Sequence, residues 1–478
     1  MVRLEAEGLT ASSAQGAYGY SDVWSLAKAY LPLAQAQTAI AAPEHEKRRR
    51  VRDYIKGAAF AAPLACCCLA VLLLKVSLWG GRLSGGEASA TAIATITAFI
   101  ASGGFIQLIG RQGHFHKQRG EWGHCYRTSS SLAQAGFLGL CCCGVAGWMA
   151  NAYFELLPAP LLAWCTAFEV GIGSYLLMSA VLYVIDGELL LALATVLGTG
   201  VVVALHSRFG MPVLAAQIYG IVAATLSCVA FAAFRFQRLG AYKTKLPQLR
   251  FPGALLYKLS PYFAFGLAYY AFLFTDRIVA WSAGTGSAAL PFQFRGDYET
   301  AADVCLFAFI VQVAWVHAAL VGFYRLVNAE QKRWLFDARD ELKRVLLRFY
   351  HKQLMVFGGL FVIAALASVT VIEQVRALRE ILDLRVALLG LLATPFLTVG
   401  LWNIALLFAL SRPRFALVSI GWGVTLNLCA GYLLSRLFSY DLAIVGFDIG
   451  SGAVAFASGW FCWKLLPNFE YHYFAATA

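Results

Sequence analysis

The sequence contains little charge. Asp, Glu, Lys and Arg together make up 13% of its 478 residues, whereas hydrophobic residues make up 60%. A water-soluble fold could not bury that much apolar surface, and the mean hydropathy of +0.67 lies outside the range of an ordinary soluble domain. The composition therefore predicts a protein whose solvent is lipid.

Signatures of enzymes and of cofactor sites are also missing. The sequence has no GxxxxGK[ST] phosphate-binding loop, no GxSxG or HExxH motif, and no large segment outside its apolar runs that could house a glycosyltransferase. The twelve cysteines include no CxxC pair, and those at 66–68 and 141–143 lie in apolar runs, which indicates packing rather than metal binding. We expect no enzyme activity, no cofactor and no metal.

Long apolar runs are what the sequence does contain. Because backbone polar groups in hydrocarbon must pair within the chain, continuous runs of this length are predicted to be helices, and the fold class is all-α. No cleavable signal peptide is expected, since the first 40 residues lack a basic segment followed by an apolar one. Twelve spans are predicted, at residues 57–79, 88–110, 129–151, 156–185, 189–205, 211–234, 262–281, 301–323, 354–372, 386–410, 415–437 and 442–466.

Basic residues are distributed unevenly between the predicted loops. Most of the 38 lysines and arginines lie in the N-terminal segment and in every second loop after it, which by the positive-inside rule are cytoplasmic. Both termini are therefore predicted to be cytoplasmic. The net charge of +12 reflects this topology and attraction to anionic lipid, and gives no reason to expect nucleic acid as a partner.

The spans divide into two sets of six. We predict a basic cytoplasmic segment at 1–55, a first lobe at 56–234, a cytoplasmic link at 235–258, a second lobe at 259–466 and a cytoplasmic tail at 467–478, with a central cavity between the lobes. A charged cytoplasmic helix is predicted at 328–352. It either binds the membrane or a cytosolic partner, or is an inert surface helix.

Ionisable groups inside spans are costly in lipid and usually face a protein interior or a watery cavity. In the seventh span Asp276 precedes Arg277, and Tyr262, Tyr269 and Asp276 follow one another at seven-residue intervals on one helix face. This face either lines a cavity or carries charges that neighbouring helices neutralise to fix the packing.

Five further polar residues are candidates. Asp303 and His317 in the eighth span lie fourteen residues apart, on roughly one face, with Gln312 elsewhere on that helix. His317 is either a packing residue or part of a proton relay. In the fourth span Glu169 is either a proton-coupled or cation-binding carboxylate or a buried hydrogen-bonding group, and Asp448 lies near the outer end of the last span.

The predicted topology places Asp276, Asp303 and Asp448 in the outer half of the bilayer, with Glu169 deeper. An acidic cavity flanked by tyrosines suits a sugar polymer that bears positive charge. Aromatic rings stack on sugar rings, and carboxylates pair with ammonium groups or bind hydroxyls.

The order YFAFGLAYYAFLFTDRIVAWSAG, RGDYETAADVCLFAFIVQVAW and a basic segment at 325–352 resembles the PelG family of exopolysaccharide exporters. LNLCAGYLL and the tail LPNFEYHYF fit the same pattern. In that family an acidic residue of the seventh span is followed by a basic residue and then aromatics, which Asp276, Arg277 and Trp281 match. The first 55 residues depart from the family, whose members enter their first span sooner.

The resemblance implies membership of the multidrug/oligosaccharidyl-lipid/polysaccharide flippase superfamily. It implies export of the aminosugar-rich, partly cationic Pel polysaccharide across the bacterial inner membrane for biofilm matrix. The implied partners are a cytosolic glycosyltransferase and membrane proteins, one of them a cyclic di-GMP receptor. A lipid-linked oligosaccharide flippase, a cation-coupled antiporter of the same superfamily and a membrane-embedded transferase using His317 are the alternatives.

Overall fold

A computed structural model describes residues 85–243, 253–283, 294–333, 339–374 and 382–469, with scattered residues between 15 and 83. These ranges are built from α-helices with short 3₁₀ turns, and they contain no β-sheet beyond an isolated bridge between Val76 and Gly81. The predicted all-α class is confirmed.

Eleven helices in the described part of the chain are long and apolar enough to cross a membrane. Each coincides with one of the predicted spans from the second to the twelfth, although several are longer than predicted. They are α1 (Gly85–Gln118), α2 (Trp122–Phe154), α3 (Ala159–Val184), α4 (Glu188–Phe209), α5 (Val213–Arg238), α6 (Gly253–Trp281), α7 (Gly296–Arg333), α8 (Arg339–Gln374), α9 (Leu384–Ala409), α10 (Pro413–Leu437) and α11 (Ala443–Leu465).

Several predicted segments are described only in part. The described residues of the first predicted span are helical as far as residue 74. Much of the N-terminal segment 1–55, of the link 235–258 and of the tail 467–478 lies outside the described residues. Met1–Asp53 is a compact unit by itself, in which Asp22 accepts a hydrogen bond of 2.7 Å from the Ser25 N–H. Segment 328–352 is divided between the end of α7 and the start of α8.

The rest of the chain has two hydrophobic cores, one from each half of the sequence. The first runs from Cys67 to Tyr262 and the second from Phe265 to Phe469. In the first half α1 packs on α2 and α3, α3 packs on α2 and α5, and α4 packs on α5. In the second half α7 packs on α8 and α9, α9 on α8 and α11, and α10 on α11. The two lobes repeat one packing pattern, although no repeat is visible in the residues.

The first predicted span and α6 complete this symmetry. Leu78, at the end of that span, lies against Gly198 of α4 and Gly220 of α5, the last two helices of the first lobe. In the same way α6 packs against α10 and α11, the last two helices of the second lobe. At its start, Gly57 touches Ala314 of α7, while α6 touches α1. The first helix of each lobe thus packs on the second helix of the other.

The contact between α1 and α6, which we call the seam, depends on glycines. A Cβ placed on Gly266 would lie 2.2 Å from the carbonyl oxygen of Gly103, and one on Gly104 would lie 2.5 Å from the Phe263 ring. Lipid supplies no hydrophobic drive for helix association, so small residues that let backbones approach stabilise such contacts through packing.

The seam extends toward one boundary of the bundle, which we call the basic end. It is the boundary at which α1, α3, α5, α7, α9 and α11 terminate. There Arg111 of α1 donates a hydrogen bond of 3.1 Å to the Ser411 hydroxyl and lies 5.4 Å from the Tyr262 ring. In the other direction the described ring contacts of the seam reach Phe99 and Phe274, whose centroids are 5.6 Å apart.

A charged contact holds the basic end of the first lobe together. Asp186, between α3 and α4, accepts a hydrogen bond of 2.7 Å from Lys117 and lies 3.6 Å from Lys56. Burial raises the pKa of this carboxyl, but the hydrogen bond and positive charges outweigh it and lower the pKa below its ordinary value. Arg235 of α5 donates a further bond of 2.7 Å to the Ile185 carbonyl.

The seam predicts the response to one added methyl group. Gly266→Ala should lower the thermal unfolding temperature of the detergent-solubilised protein, because the new Cβ collides with backbone atoms and overpacking costs about 1–3 kcal/mol. Gly110→Ala, also on α1, is the control, because no atom of another part of the protein lies within 4 Å of a Cβ placed there. This variant should leave the unfolding temperature unchanged or raise it slightly. Equal temperatures for both variants would contradict the close contact.

Candidate functional site

A buried charged network joins the end of α6 to the start of α7. The guanidinium of Arg277 donates to Glu299 and, over 3.1 Å, to Oδ1 of Asp303. The Trp281 indole N–H donates to the other Glu299 oxygen over 2.9 Å. Charges inside a membrane protein are stable only when paired in this way, so the network fixes α6 against α7.

A second carboxylate of α6 belongs to the same region. Asp276 is 2% exposed and accepts a hydrogen bond of 2.8 Å from the Tyr298 hydroxyl. One guanidinium therefore serves a group of three carboxylates, Asp276, Glu299 and Asp303. The side chain of Glu299 is 12% exposed, whereas that of Asp303 is 56% exposed. The network is acidic, and it reaches an accessible surface through Asp303.

A small cavity lies beside the network, inside the second lobe. Its volume of about 20 Å³ is room for about one water molecule. Helices α6, α7, α9 and α11 enclose it. Its walls are mostly apolar, with polar groups from Asp276, Arg277 and Thr394; the lining residues are Leu273, Asp276, Arg277, Ala302, Cys305, Leu306, Phe309, Thr394, Leu397, Ile444 and Phe447.

Gln312 links α7 to α9 at the cavity. Its side chain donates to the Thr394 hydroxyl over 3.1 Å and accepts from Thr398 over 3.0 Å. Pro395 interrupts the hydrogen bonds of α9, and the Thr394 hydroxyl donates to the Leu391 carbonyl, at 2.9 Å, which lacks a backbone partner for that reason. The predicted candidate Gln312 thus has a defined packing role.

The two faces of α6 point to different lobes. Phe263, Gly266, Tyr270 and Phe274 form the stripe that meets α1. On the predicted face, Tyr269 and Asp276 lie against the second lobe, whereas Tyr262 also touches the first lobe, where Arg111 of α1 lies 5.4 Å from its ring. In the second lobe Tyr262 packs 5.2 Å from Phe408 of α9, and Tyr269 stacks on Phe265, with centroids 6.0 Å apart.

Of the other predicted residues, Asp448 lies near the charged network, and His317 and Glu169 lie away from it. His317 is exposed, and its Cβ lies 3.1 Å from the position that a Cβ placed on Gly57 would occupy. Asp448 of α11 is half-buried and lies near enough to Asp276 for the two carboxylates to interact electrostatically, and its Oδ1 has no hydrogen-bond partner among the described residues. Glu169 is 6% exposed inside the first lobe, and its Oε1 likewise has no hydrogen-bond partner among them. The structure brings together Asp276, Arg277 and Asp303 with Asp448 nearby, and leaves Glu169 apart in the other lobe.

Sequence reasoning missed Glu299 and Tyr298. The eighth span was predicted to begin at residue 301, which assigned both residues to a loop, whereas α7 begins at Gly296. Two features of the sequence could have indicated that Glu299 belongs to the helix. Glu299 and Asp303 are four residues apart, which is one helix face, and carboxylates are favoured in the first turns of a helix by its dipole.

The sequence matches no protein-family model and no curated protein. Solved structures do match it in shape. A mutant of the Vibrio cholerae MATE transporter VcmN has a TM-score of 0.63 and 14% sequence identity, over 89% of this chain and 98% of that one. A multidrug resistance MATE family transporter of the MOP superfamily, in an outward-facing conformation, has a TM-score of 0.59 and 14% identity, over 88% and 96%. The chain has the MATE fold.

A mutant of a MATE protein is similar as well, with a TM-score of 0.56 and 14% identity over 88% of this chain and 96% of that one. The likeness agrees with the all-α, multi-pass membrane fold expected from the sequence. At this identity the likeness concerns the fold alone.

The charged network predicts a large effect at Arg277. Arg277→Gln leaves buried carboxylates without their cation and should lower the free energy of unfolding by about 3–5 kcal/mol. Thermal unfolding in detergent measures the loss. The double variant Arg277→Gln with Glu299→Gln should recover part of it, because it removes one of the stranded charges.

Arg385→Gln is the matched control. This arginine is 82% exposed and lies 3.8 Å from Asp441, so its loss should cost less than about 1 kcal/mol. Similar unfolding temperatures for the Arg277 and Arg385 single variants would show that the buried network does not stabilise the fold.

Proposed function

We propose that this protein exports a polysaccharide across the bacterial inner membrane, through a passage between its two lobes. The observation that carries the proposal is the half-exposed carboxylate of Asp303 at the edge of the acidic network. It supplies an accessible negative charge on a membrane helix, where an exposed charge is costly unless it serves a polar passage.

The face of α7 that carries Asp303 supports this location. His317 lies fourteen residues further along the same face and is adjacent to Gly57 of the first lobe. We infer from this that Asp303 faces the gap between the lobes from within the second lobe. Next to it, Arg277 lies 5.6 Å from the Phe274 ring, which belongs to the aromatic stripe of α6.

This wall has the chemistry of a glycan site. Phe99 of α1 lies 5.2 Å from Tyr270 and 5.6 Å from Phe274, so both lobes contribute rings to the part of the seam farthest from the basic end. Rings can stack on sugar faces, and the acidic group favours a substrate with ammonium groups. A Pel-like, aminosugar-rich and partly cationic polymer fits both features.

The direction of export follows from the charge distribution. We assign the basic end to the cytoplasm, which places both termini there. The seam closes the lobes in the basic half of the bundle, so the passage opens at the opposite end. A cytosolic glycosyltransferase would supply the polymer at the basic end, together with membrane partners that include a cyclic di-GMP receptor.

Export should depend on Asp303. In a strain that makes a Pel-like polymer and relies on this protein, Asp303→Asn should reduce secreted hexosamine by about tenfold or more, because a charge-assisted contact contributes roughly 1.5–3 kcal/mol. Glu155→Gln, at an exposed position after α2, is the control and should secrete normally. Immunoblots of membranes establish equal amounts of each protein. Normal secretion by the Asp303 variant would overturn the proposal.

A cation-coupled antiporter or a lipid-linked oligosaccharide flippase is the second candidate, and Glu169 favours it. A buried carboxylate with an oxygen that has no hydrogen-bond partner among the described residues is suited to bind and release a proton or cation. Its position in the first lobe, away from the charged network, would let it act independently.

Coupling should be visible in proteoliposomes. If this candidate is right, a pH gradient drives uptake of a cationic dye or a lipid-linked oligosaccharide, and Glu169→Gln abolishes the dependence on the gradient. The control Glu155→Gln retains it. Export that needs a cognate synthase and ignores both the gradient and Glu169 would reject the second candidate.

A further inference from the structure

Three helices meet at the basic end of the second lobe and bring cations and aromatic rings to one corner. These helices are α6 and α10 at their starts and α11 at its end. We name this the lipid corner; its residues are Tyr257, Lys258, Arg414, Trp460, Trp463 and Lys464. We propose that it binds the phosphate headgroup of an anionic phospholipid.

Contacts between the helices place these residues together. Arg414, at the start of α10, donates a hydrogen bond of 2.5 Å to the Tyr257 hydroxyl of α6 and lies 5.4 Å from that ring. Next to it, Phe415 stacks on Phe461 of α11 with centroids 4.5 Å apart. One helical turn from Phe461, Lys464 lies 4.8 Å from the Trp460 ring. The stack of Phe415 on Phe461 thus lies between the pair Arg414 and Tyr257 and the pair Lys464 and Trp460.

The corner is exposed where a lipid headgroup would meet it. Tyr257 is 68% exposed, Trp463 64% and Trp460 47%, and the side chains of Arg414 and Lys464 are exposed as well. Tryptophan and tyrosine are favoured at the boundary between hydrocarbon and headgroups, where the ring is apolar and the N–H or O–H reaches polar groups.

The positive charges of the lipid corner determine which phospholipid headgroup fits it. Lys258, Arg414 and Lys464 bring three positive charges to the corner. The N-terminus of α10 lies there too, without a side-chain cap, and helix N-termini favour anions. A zwitterionic headgroup would place an ammonium group among these cations, whereas a phosphatidylglycerol-type headgroup carries net negative charge. The occupant that fits is an anionic phospholipid.

The experiment compares phosphatidylglycerol with phosphatidylcholine. Purified full-length protein in detergent is titrated with each short-chain lipid, and binding is followed by native mass spectrometry and by the thermal unfolding temperature. Phosphatidylglycerol should bind and raise that temperature, and phosphatidylcholine should not. The double variant Arg414→Gln with Lys464→Gln should weaken phosphatidylglycerol binding roughly tenfold or more.

The matched control removes two charges from the same boundary in the first lobe. Arg119 lies 4.2 Å from the Phe115 ring and Arg238 lies 4.3 Å from the Phe234 ring, and both arginines are exposed. Arg119→Gln with Arg238→Gln should bind phosphatidylglycerol as the unmodified protein does. An equal loss in both double variants would mean attraction by overall charge only, and equal binding of the two lipids would mean no headgroup selection. Either result overturns the proposal.

Discussion

Hydrocarbon contains no water, so every polar group inside this protein must find its partner within the chain. Backbone polar groups find their hydrogen-bond partners within the α-helices. Charged side chains find their partners at the contact between α6 and α7, where Arg277 is paired with Glu299 and Asp303. Even the break that Pro395 makes in α9 is satisfied by the Thr394 hydroxyl. The constraint that makes the spans helical therefore also builds the candidate site.

The same solvent decides how the lobes meet. Each lobe has its own hydrophobic core, and the described helix contacts between them include the seam of Gly103, Gly104 and Gly266 and the contact of Gly57 with Ala314. Two bodies joined along a line of backbone contact can tilt about that line without opening either core. An acidic group at the edge of one lobe, such as Asp303, would then be exposed or covered by the tilt. The seam links packing to the proposed transport.

Much of this was predictable from the sequence, because hydropathy and loop charge follow from the solvent. Eleven spans were found in that way, and so was the presence of Asp276 and Arg277 inside one of them. Glu299 was missed because a polar first turn lowers the local hydropathy and resembles a loop. The orientation of α6 was not predictable either. Aromatic residues occupy both of its faces, and Gly266 identifies the seam only when Gly103 is known to lie opposite.

The symmetry of the fold and the asymmetry of its chemistry have to be reconciled. Glu169 is the eleventh residue of α3, and Thr394 is the eleventh residue of α9, the helix that occupies the matching place in the second lobe. In one lobe this depth holds a hydroxyl bonded to Gln312, and in the other a carboxylate oxygen without a hydrogen-bond partner among the described residues. The paired charges of the second lobe resist change, since altering one strands another. A change of charge at Glu169 carries the cost of burying the ionised carboxylate but leaves the paired charges of the second lobe intact, so it would not disturb the contact between α6 and α7.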